Sequence, residues 1–465
     1  MPIKIFNTMG RTLQEFIPVN SEPNDAGQIE IQMYQCGPTV YWDQHIGNMR
    51  AVVFADLFKR ALEYNVYRDA DGKDFKYKVN LVRNYTDVGH LTGDNIGDAD
   101  TGEDRMDRAA SREGLTPDAI ADKYIASFQR DIKLLNADIK ADSADTMDHT
   151  PRATSYIKEI QEMVDKLLAK GFAYETSGGI YFDVSKYPEY TRLSGQKLDL
   201  QSAHAGHGVV SDGDKRNSAD FALWIYAKGT HARALQTWDY TPNIQRQSGD
   251  YTPALQSGST YNREHCAGFP GWHIECSAMS HALLGSHFDI HMGGIEHIPV
   301  HHSNEIAQSE SANGEKYVNY WVHNEHLLVD GKKMSKSEGT SYLLSDIMAK
   351  GIHPLTLRYF FLQAHYRSKQ NFTWEALEAS DVAYNKLKRQ IEILRQSPVS
   401  LVIKPADVDT SAMQIQEKFL KAINNDFNFA QALAMVWTLI KDKELSSEAK
   451  LHLIDDFNTV FGLEL

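Results

Sequence analysis

The chain has 465 residues, 42% of them hydrophobic, which is enough to bury several cores and to form two to four domains. No apolar run approaches the roughly 20 residues that span a bilayer, and the opening MPIKIFNTMGRTLQEFIPVN lacks the layout of a secretory signal, so a cytoplasmic protein is expected. A formal net charge of -14 argues against nucleic-acid binding on composition alone, leaving it only to local basic surface, and three cysteines exclude a disulfide framework.

In chain order, IEIQMYQC alternates Ile29, Ile31 and Met33 with polar residues and predicts a strand that runs into a Gly37-Pro38 turn. HIGNMRAVVFADLFKRALEY follows as a helix with Val53, Leu57, Ala61 and Leu62 on one face. FKYKVNLV predicts a second strand. The acidic stretch after it, with Asp87, Asp94, Asp98, Asp100, Glu103 and Asp104, does not have calcium-loop spacing and reads as a solvated loop. Thr150-Pro151 is expected to open a helix striped by Ile157, Ile160, Val164, Leu167 and Leu168 and closed at Gly171. From about Phe182 to Phe269 the pattern is irregular, with short strands and many Gly, Ser and Thr residues, as for an insertion between two halves of an α/β domain. The second half resumes with a helix in GWHIECSAMSHALLG, a strand in HFDIHMGG and a helix in HHSNEIAQSESANG, and HLLVDGKK then predicts a strand and tight turn before KMSKSEGT. Beyond about Leu343 the pattern is almost entirely helical; there Lys386, Lys388, Arg389 and Arg395 read as a solvated helix face.

Three stretches carry chemistry. YQCGPTVYWDQHIGN takes a strand through a turn to a helix N-terminus, a ready phosphate site, with His45 placed either to cap the helix or to bond a phosphate as charge develops. KMSKS offers Lys333, Lys336 and two serines to a polyphosphate. HHSNE places His301 and Glu305 four apart, on one helix face, and is open to three readings: a metal site, an acid/base pair, or the polar shoulder of a helix.

HIGN and KMSKS, in that order, resemble the signature pair of class I aminoacyl-tRNA synthetases. CGPTVY, VRNYTDV, TPRAT, DKRNSADFALW, PGWHIECSAMS, HFDIHMGGIEHIPVHHSNEIAQSE and LRYFFLQAHYRS narrow the resemblance to the cysteinyl-tRNA synthetase family, from about Ile3 to the C-terminus. The resemblance implies a Rossmann-like α/β catalytic domain with a parallel sheet, split by an insertion and followed by an α-helical bundle. The corresponding divisions are 1–150 and 266–320 for the catalytic halves, 151–265 for the insertion, 321–365 for the KMSKS-bearing stem-contact region and 366–465 for the bundle.

It also implies a zinc ion held by Cys36, Cys276, His301 and Glu305, a donor set of two thiolates, an imidazole and a carboxylate that suits zinc and not magnesium or calcium. The thiolate of substrate cysteine would bind that metal, which rejects serine without an editing domain. His302 is assigned a supporting place, and Cys266 matches no ligand position. By the same resemblance Gly37, His45, Gly47, Asn48 and Lys336 hold ATP, which arrives with Mg2+. His45, Asn48, Lys333 and Lys336 act on the reacting phosphates, Thr86 and Trp272 line the cysteine pocket, and His291 and Glu296 lie near the substrate's ammonium and carboxylate or the ATP. The expected partners are L-cysteine, ATP and tRNA(Cys), with a monomeric enzyme and no membrane.

Asn48 stands for the last histidine of the general HIGH pattern, a change this family commonly shows. The chain departs from most members in having Glu296 where a smaller acidic residue is usual, and the resemblance stops before their small anticodon-reading domain. That last difference admits an alternative, a mycothiol-type ligase that joins cysteine to an amino sugar through the same adenylate. A non-catalytic cysteine or nucleotide sensor is disfavoured by the intact HIGN and KMSKS.

Overall fold

In the computed structural model, which describes residues 2–69, 71–91, 103–137, 139, 147–196, 215–242, 266–334, 339–397 and 405–465, the first predicted strand runs from Gln28 to Gln35 and lies mid-sheet. Ile29, Ile31 and Met33 are fully buried on one face, and Tyr34 is buried on the other, because helices cover both sides of the sheet. Phe288–Gly294 and Asp74–Arg83 flank this strand, both parallel to it. Val318–Asn324 adds a further parallel strand beside the former, and the short Val66–Arg68 pairs antiparallel with the latter at the edge. The chain fills one side of Gln28–Gln35 first and returns to the other side only after the insertion. Such a reversal of strand order leaves a crevice at the carboxyl ends of the strands, where Cys36 and Gly294 lie.

The helix Ile46–Tyr64 buries Val53, Leu57, Ala61 and Leu62, and also Ile46, Met49 and Phe54, because it is covered on two sides. Its apolar residues share one core with the sheet and with the C-terminal helices Pro354–Leu362, Trp374–Gln396, Phe429–Lys441 and Ser447–Phe461. On the opposite face of the sheet the helices Trp272–Leu284 and His301–Asn313 pack with Tyr34, Val82 and Trp321. Gly314, at φ +78°, ends the second of these. No helix among the described residues is long and apolar enough to cross a membrane.

Four features differ from the sequence expectations. The acidic stretch is not uniformly solvated: Asp87 is fully buried and bonded to Arg152 and Thr154, and Asp104 is buried and caps the helix Arg105–Glu113. Thr150-Pro151 does not open a helix. Pro151 accepts a hydrogen bond from the Tyr85 backbone, so the chain there lies beside Tyr85, and the α-helix Ile157–Ala169 follows a single 3-10 turn, Ala153–Tyr156.

The irregular insertion contains a five-stranded antiparallel sheet in the order Ala173–Glu175, Gly179–Phe182, Phe221–Tyr226, Cys266–Pro270, Trp238–Tyr240. Short strands were expected here, but not the sheet they form: FALWIY is buried along its whole length and shows no alternation that would mark a face. The helical C-terminal part also contributes a strand, Gln370–Phe372, parallel to Leu327–Val329. Leu327–Val329 in turn forms the expected tight turn with Lys332–Lys333 through Asp330 and Gly331, both at positive φ. Lys386, Lys388 and Arg389 are exposed, as a solvated face requires. Lys336, Asp94, Asp98 and Asp100 lie outside the described residues, as does the side chain of Cys266.

Candidate active site

The crevice at the sheet's carboxyl edge gathers most of the residues singled out in the sequence. The Cys36 backbone N–H donates to the Met292 carbonyl at 3.2 Å, tying the end of one central strand to its neighbour. Gly37 follows at a position where a Cβ would fall 1.6 Å from the Asn84 carbonyl oxygen, so only glycine lets the two segments cross. Its N–H donates to Asn84 Oδ1 at 2.9 Å, and Asn84 Nδ2 donates to Thr86 Oγ1 at 3.3 Å. Thr86 is buried, and its N–H bonds the Pro38 carbonyl at 3.1 Å. Asn84 was not anticipated as a site residue. It lies in VRNYTDV, and Cys276 Sγ points to its Oδ1 at 3.8 Å.

Cys36, Cys276, His301 and Glu305 converge, each with a donor atom within 4.8 Å of the others. Helical spacing brings His301 Nε2 to 3.1 Å from Glu305 Oε1, and Cys36 Sγ lies 3.5 Å from the same oxygen. Cys276, on the Trp272–Leu284 helix, is buried, and neither Cys36 nor Cys276 is in a disulfide. A second set, Cys36, His291, His302 and Glu305, satisfies the same distance and shares two members with the first. His302 Nε2 lies 3.3 Å from Cys36 Sγ, and its Nδ1 is 2.7 Å from His323 Nε2. His291 is fully buried, with Nε2 at 2.8 Å from Glu305 Oε2, to which Tyr317 also donates at 3.3 Å.

The electrostatics suit a cation. Burial by itself would raise the Glu305 carboxyl, but His291 and His301 hold it well below the usual range. A hydrogen bond from Cys36 brings the Cys276 thiol down to about 6 against the effect of burial, while burial pushes the Cys36 thiol up. Burial disfavours a charged His301, yet Glu305 and Cys276 raise it to about 10. Anionic donors thus draw positive charge to this point, and two sulfurs, one nitrogen and one carboxylate oxygen fit zinc.

Trp272 lies between this cluster and His90. Its ring stacks on His301 at 4.4 Å and, nearly coplanar, on His90 at 4.4 Å. His90 Nδ1 in turn meets the Thr39 hydroxyl. His291 and Glu296, expected together at the substrate's polar groups, take different places. His291 is enclosed behind Glu305, whereas Glu296 is half-exposed, with Oε2 at 3.6 Å from His326 Nδ1.

The two signature motifs meet. His45 caps the Ile46–Tyr64 helix, its Nδ1 accepting from the Asn48 N–H at 3.3 Å, and the Asn48 side chain donates to Gln44 Oε1. The Ile46 N–H donates to the Tyr342 carbonyl at 2.9 Å, and a Cβ on Gly47 would lie 2.7 Å from the Met334 methyl. HIGN is therefore in contact with Met334 of KMSKS and with the chain just after the motif, and Lys333, the motif's first residue, is exposed at the end of the hairpin.

The tRNA synthetases class I (C) catalytic domain family matches residues 22–242 and 244–382. Cysteine–tRNA ligase 1 of Burkholderia lata is 39% identical over 468 residues, covering 100% of this chain and 85% of that protein. The chain belongs to the class I cysteinyl-tRNA synthetases. The cysteine–tRNA ligases of Treponema denticola and of a Thermus thermophilus strain are each 35% identical, covering 100% and 99% of this chain and 87% and 84% of their own. Solved class I synthetases share the fold of this cysteinyl member. LeuRS of Agrobacterium radiobacter K84, in a ternary complex with tRNA and LeuAMS, matches at TM-score 0.60 and 11% identity, covering 95% of this chain and 85% of LeuRS. Methionyl-tRNA synthetase of Mycobacterium tuberculosis bound by methionyl-adenylate matches at 0.52 and 14%, covering 93% and 88%.

Proposed function

We propose that this chain activates L-cysteine with ATP and Mg2+ to cysteinyl-adenylate and transfers the cysteinyl group to tRNA(Cys), working as a cytoplasmic monomer. The observation that carries the reading is the convergence of Cys36, Cys276, His301 and Glu305 beside the Trp272 ring, at the edge of a sheet whose next turn leads into HIGN. These four residues would hold a zinc ion, which would supply a soft contact for the sulfur of cysteine and a poor one for the hydroxyl of serine. His291 and His302 orient Glu305 and Cys36 as supporting residues.

The remaining work is positioning and charge stabilisation. Trp272 and Thr86 wall the cysteine pocket, and Glu296, at the exposed rim, receives the substrate's ammonium. The carboxylate attacks the α-phosphorus of ATP, forming the new P–O bond as pyrophosphate leaves. His45, Asn48 and the N-terminus of the Ile46–Tyr64 helix face the phosphates. Gly37 and Gly47 keep the backbone accessible there, and Lys333 and Lys336 follow the charge of the departing pyrophosphate. The terminal ribose hydroxyl of the tRNA then takes the acyl group and AMP departs. Nothing in the site favours an amino sugar as acceptor.

ATP–pyrophosphate exchange with cysteine or serine, followed by charging of tRNA(Cys), tests the reading. Exchange dependent on cysteine and silent with serine is expected, with tRNA charging to follow. Equal exchange with serine overturns the zinc-selection argument, and an amino sugar acylated in place of tRNA overturns the acceptor.

A further inference from the structure

Upstream of HIGN, Trp42 keeps 37% of its surface exposed, although it immediately follows the site's turn. Arg112 lies over its ring with Cζ 4.2 Å from the centroid, and Arg105 lies over the adjacent Tyr41 at 5.4 Å, with Nη1 donating to the Tyr41 hydroxyl at 3.1 Å. Both arginines belong to the helix Arg105–Glu113, where Arg105, Arg108 and Arg112 recur at intervals of three and four and so share one face. Arg108 and Arg112 are exposed, and Lys123 of the next helix stands nearby through Glu113, which bonds both Lys123 and Arg112. These three arginines and one lysine, offset in part by Glu113, stand close together in a chain that is acidic overall.

This ladder is continuous with the pocket. The Arg105 backbone N–H donates to the His90 carbonyl at 3.1 Å, and the His90 ring stacks on Trp272, which stacks on His301. Two guanidinium–aromatic pairs at Trp42 and Tyr41 thus stand at solvent and are tied through the backbone of Arg105 and His90 to the stacked rings at the cysteine pocket. Exposed aromatics interleaved with arginines bind unpaired nucleotides, whose bases stack while the cations meet the phosphates. From Arg105 to Arg112 the helix rises about 10 Å, room for about three stacked nucleotides at roughly 3.4 Å each.

We propose that Trp42 and Arg112, continued inward by Tyr41 and Arg105, form the platform on which the unpaired acceptor end of the tRNA stacks as it is led to the adenylate. The inference rests on tRNA being the acyl acceptor. Trp42 and Arg112 are positioning residues, with no part in forming the adenylate.

Trp42→Ala, Trp42→Tyr and Arg112→Gln, compared with the unaltered full chain, test this in three assays: ATP–pyrophosphate exchange, charging of tRNA(Cys), and competition by tRNA(Cys) trimmed of its unpaired terminal nucleotides. For Trp42→Ala and Arg112→Gln, exchange is expected within about 2-fold of the unaltered chain, and kcat/KM for tRNA at least about 10-fold lower, the loss of one stacked base. Inhibition by trimmed tRNA should not change, and Trp42→Tyr should restore charging. Undiminished charging, a parallel loss of exchange, or equally weakened binding of trimmed tRNA overturns the platform. If the unaltered chain charges no tRNA at all, the acceptor reading fails and the platform with it.

Discussion

The Met334 methyl reaches within 2.7 Å of the point where a Cβ on Gly47 would stand, so the HIGN helix and the KMSKS loop share a surface that only glycine leaves open. The His45 ring borders the same point at 3.0 Å. Gly47→Ala should therefore shift Met334 and the His45 ring and lower the exchange rate about 10-fold, the cost of a small misplacement of groups that act by positioning. Alanine is the better helix former by about 1 kcal/mol, so the melting temperature should hold or rise. Activity falling without a loss of stability, with partial recovery in the Gly47→Ala/Met334→Ala pair, is the expected pattern, read by exchange kinetics and thermal unfolding.

Gly37→Ala belongs to a different class. A Cβ there meets a backbone oxygen at 1.6 Å, and no side chain can move aside to relieve it. Displacing the Asn84 segment should destabilise the chain by about 3 kcal/mol or more and loosen the Cys36 and Thr86 positions together. Chemical denaturation and metal analysis should register both changes.

Two overlapping donor sets share Cys36 and Glu305, and substitution separates them. Cys276→Ala, His301→Ala and Glu305→Ala should each lower bound zinc severely on elemental analysis. His302→Ala should retain it with an affinity reduced about 10- to 100-fold, as for loss of a supporting contact. Loss of metal in His302→Ala with retention in Cys276→Ala would assign the ion to the other set. Stripping zinc with a chelator should abolish cysteine-dependent exchange and leave ATP binding intact.

Arg358, fully buried in the helix Pro354–Leu362, ties that helix to the helix Ile46–Tyr64, to the chain at Leu135 and Asn136 and to the end of the helix Ser447–Phe461. Its guanidinium bonds Asp56 and the carbonyls of Leu135, Asn136 and Phe461. Arg358→Met should cost about 3–5 kcal/mol, since one partner of a buried pair is removed and the carbonyls are left unpaired. Urea unfolding would show it as a lower midpoint.

Asp104 caps its helix, accepting from the Met106 and Gly89 N–H groups, yet burial raises its carboxyl to about 7. The folded state therefore holds a proton that the unfolded chain releases near its ordinary value, and stability should fall as pH rises from about 4 to 7. Asp104→Asn keeps a capping oxygen without the charge. It should flatten that slope, as measured by melts across the pH range, at the loss of one of the two acceptors, since the amide NH2 cannot accept from an N–H.

Three strands of the catalytic sheet and the helices beside them were legible in chain order because they keep their periods, Ile29, Ile31 and Met33 at two and Val53, Leu57 and Ala61 at helical spacing, whereas the strand Val318–Asn324 was not anticipated. His301 and Glu305 were legible as a pair because one helical turn separates them. The insertion was legible only as short strands, and not as one antiparallel sheet, since FALWIY is buried on both faces and carries no alternation. Asp87 and Asp104 were misread as solvated because an aspartate's partners, here Arg152 and the backbone of Gly89 and Met106, come from segments that local pattern does not connect to it.

The motifs in their order, and the family resemblance they carry, were enough to propose the chemistry: two thiols, an imidazole and a carboxylate for a metal, and a glycine-bearing helix start with a lysine-rich loop for phosphates. Which atoms meet followed from packing. It placed Asn84 against Gly37, set Met334 on Gly47, enclosed His291 behind Glu305, and carried the arginines of one short helix to Tyr41 and Trp42. Each of these contacts joins segments remote in the chain, and their distances are set by strand order and helix packing, which no local window of residues specifies.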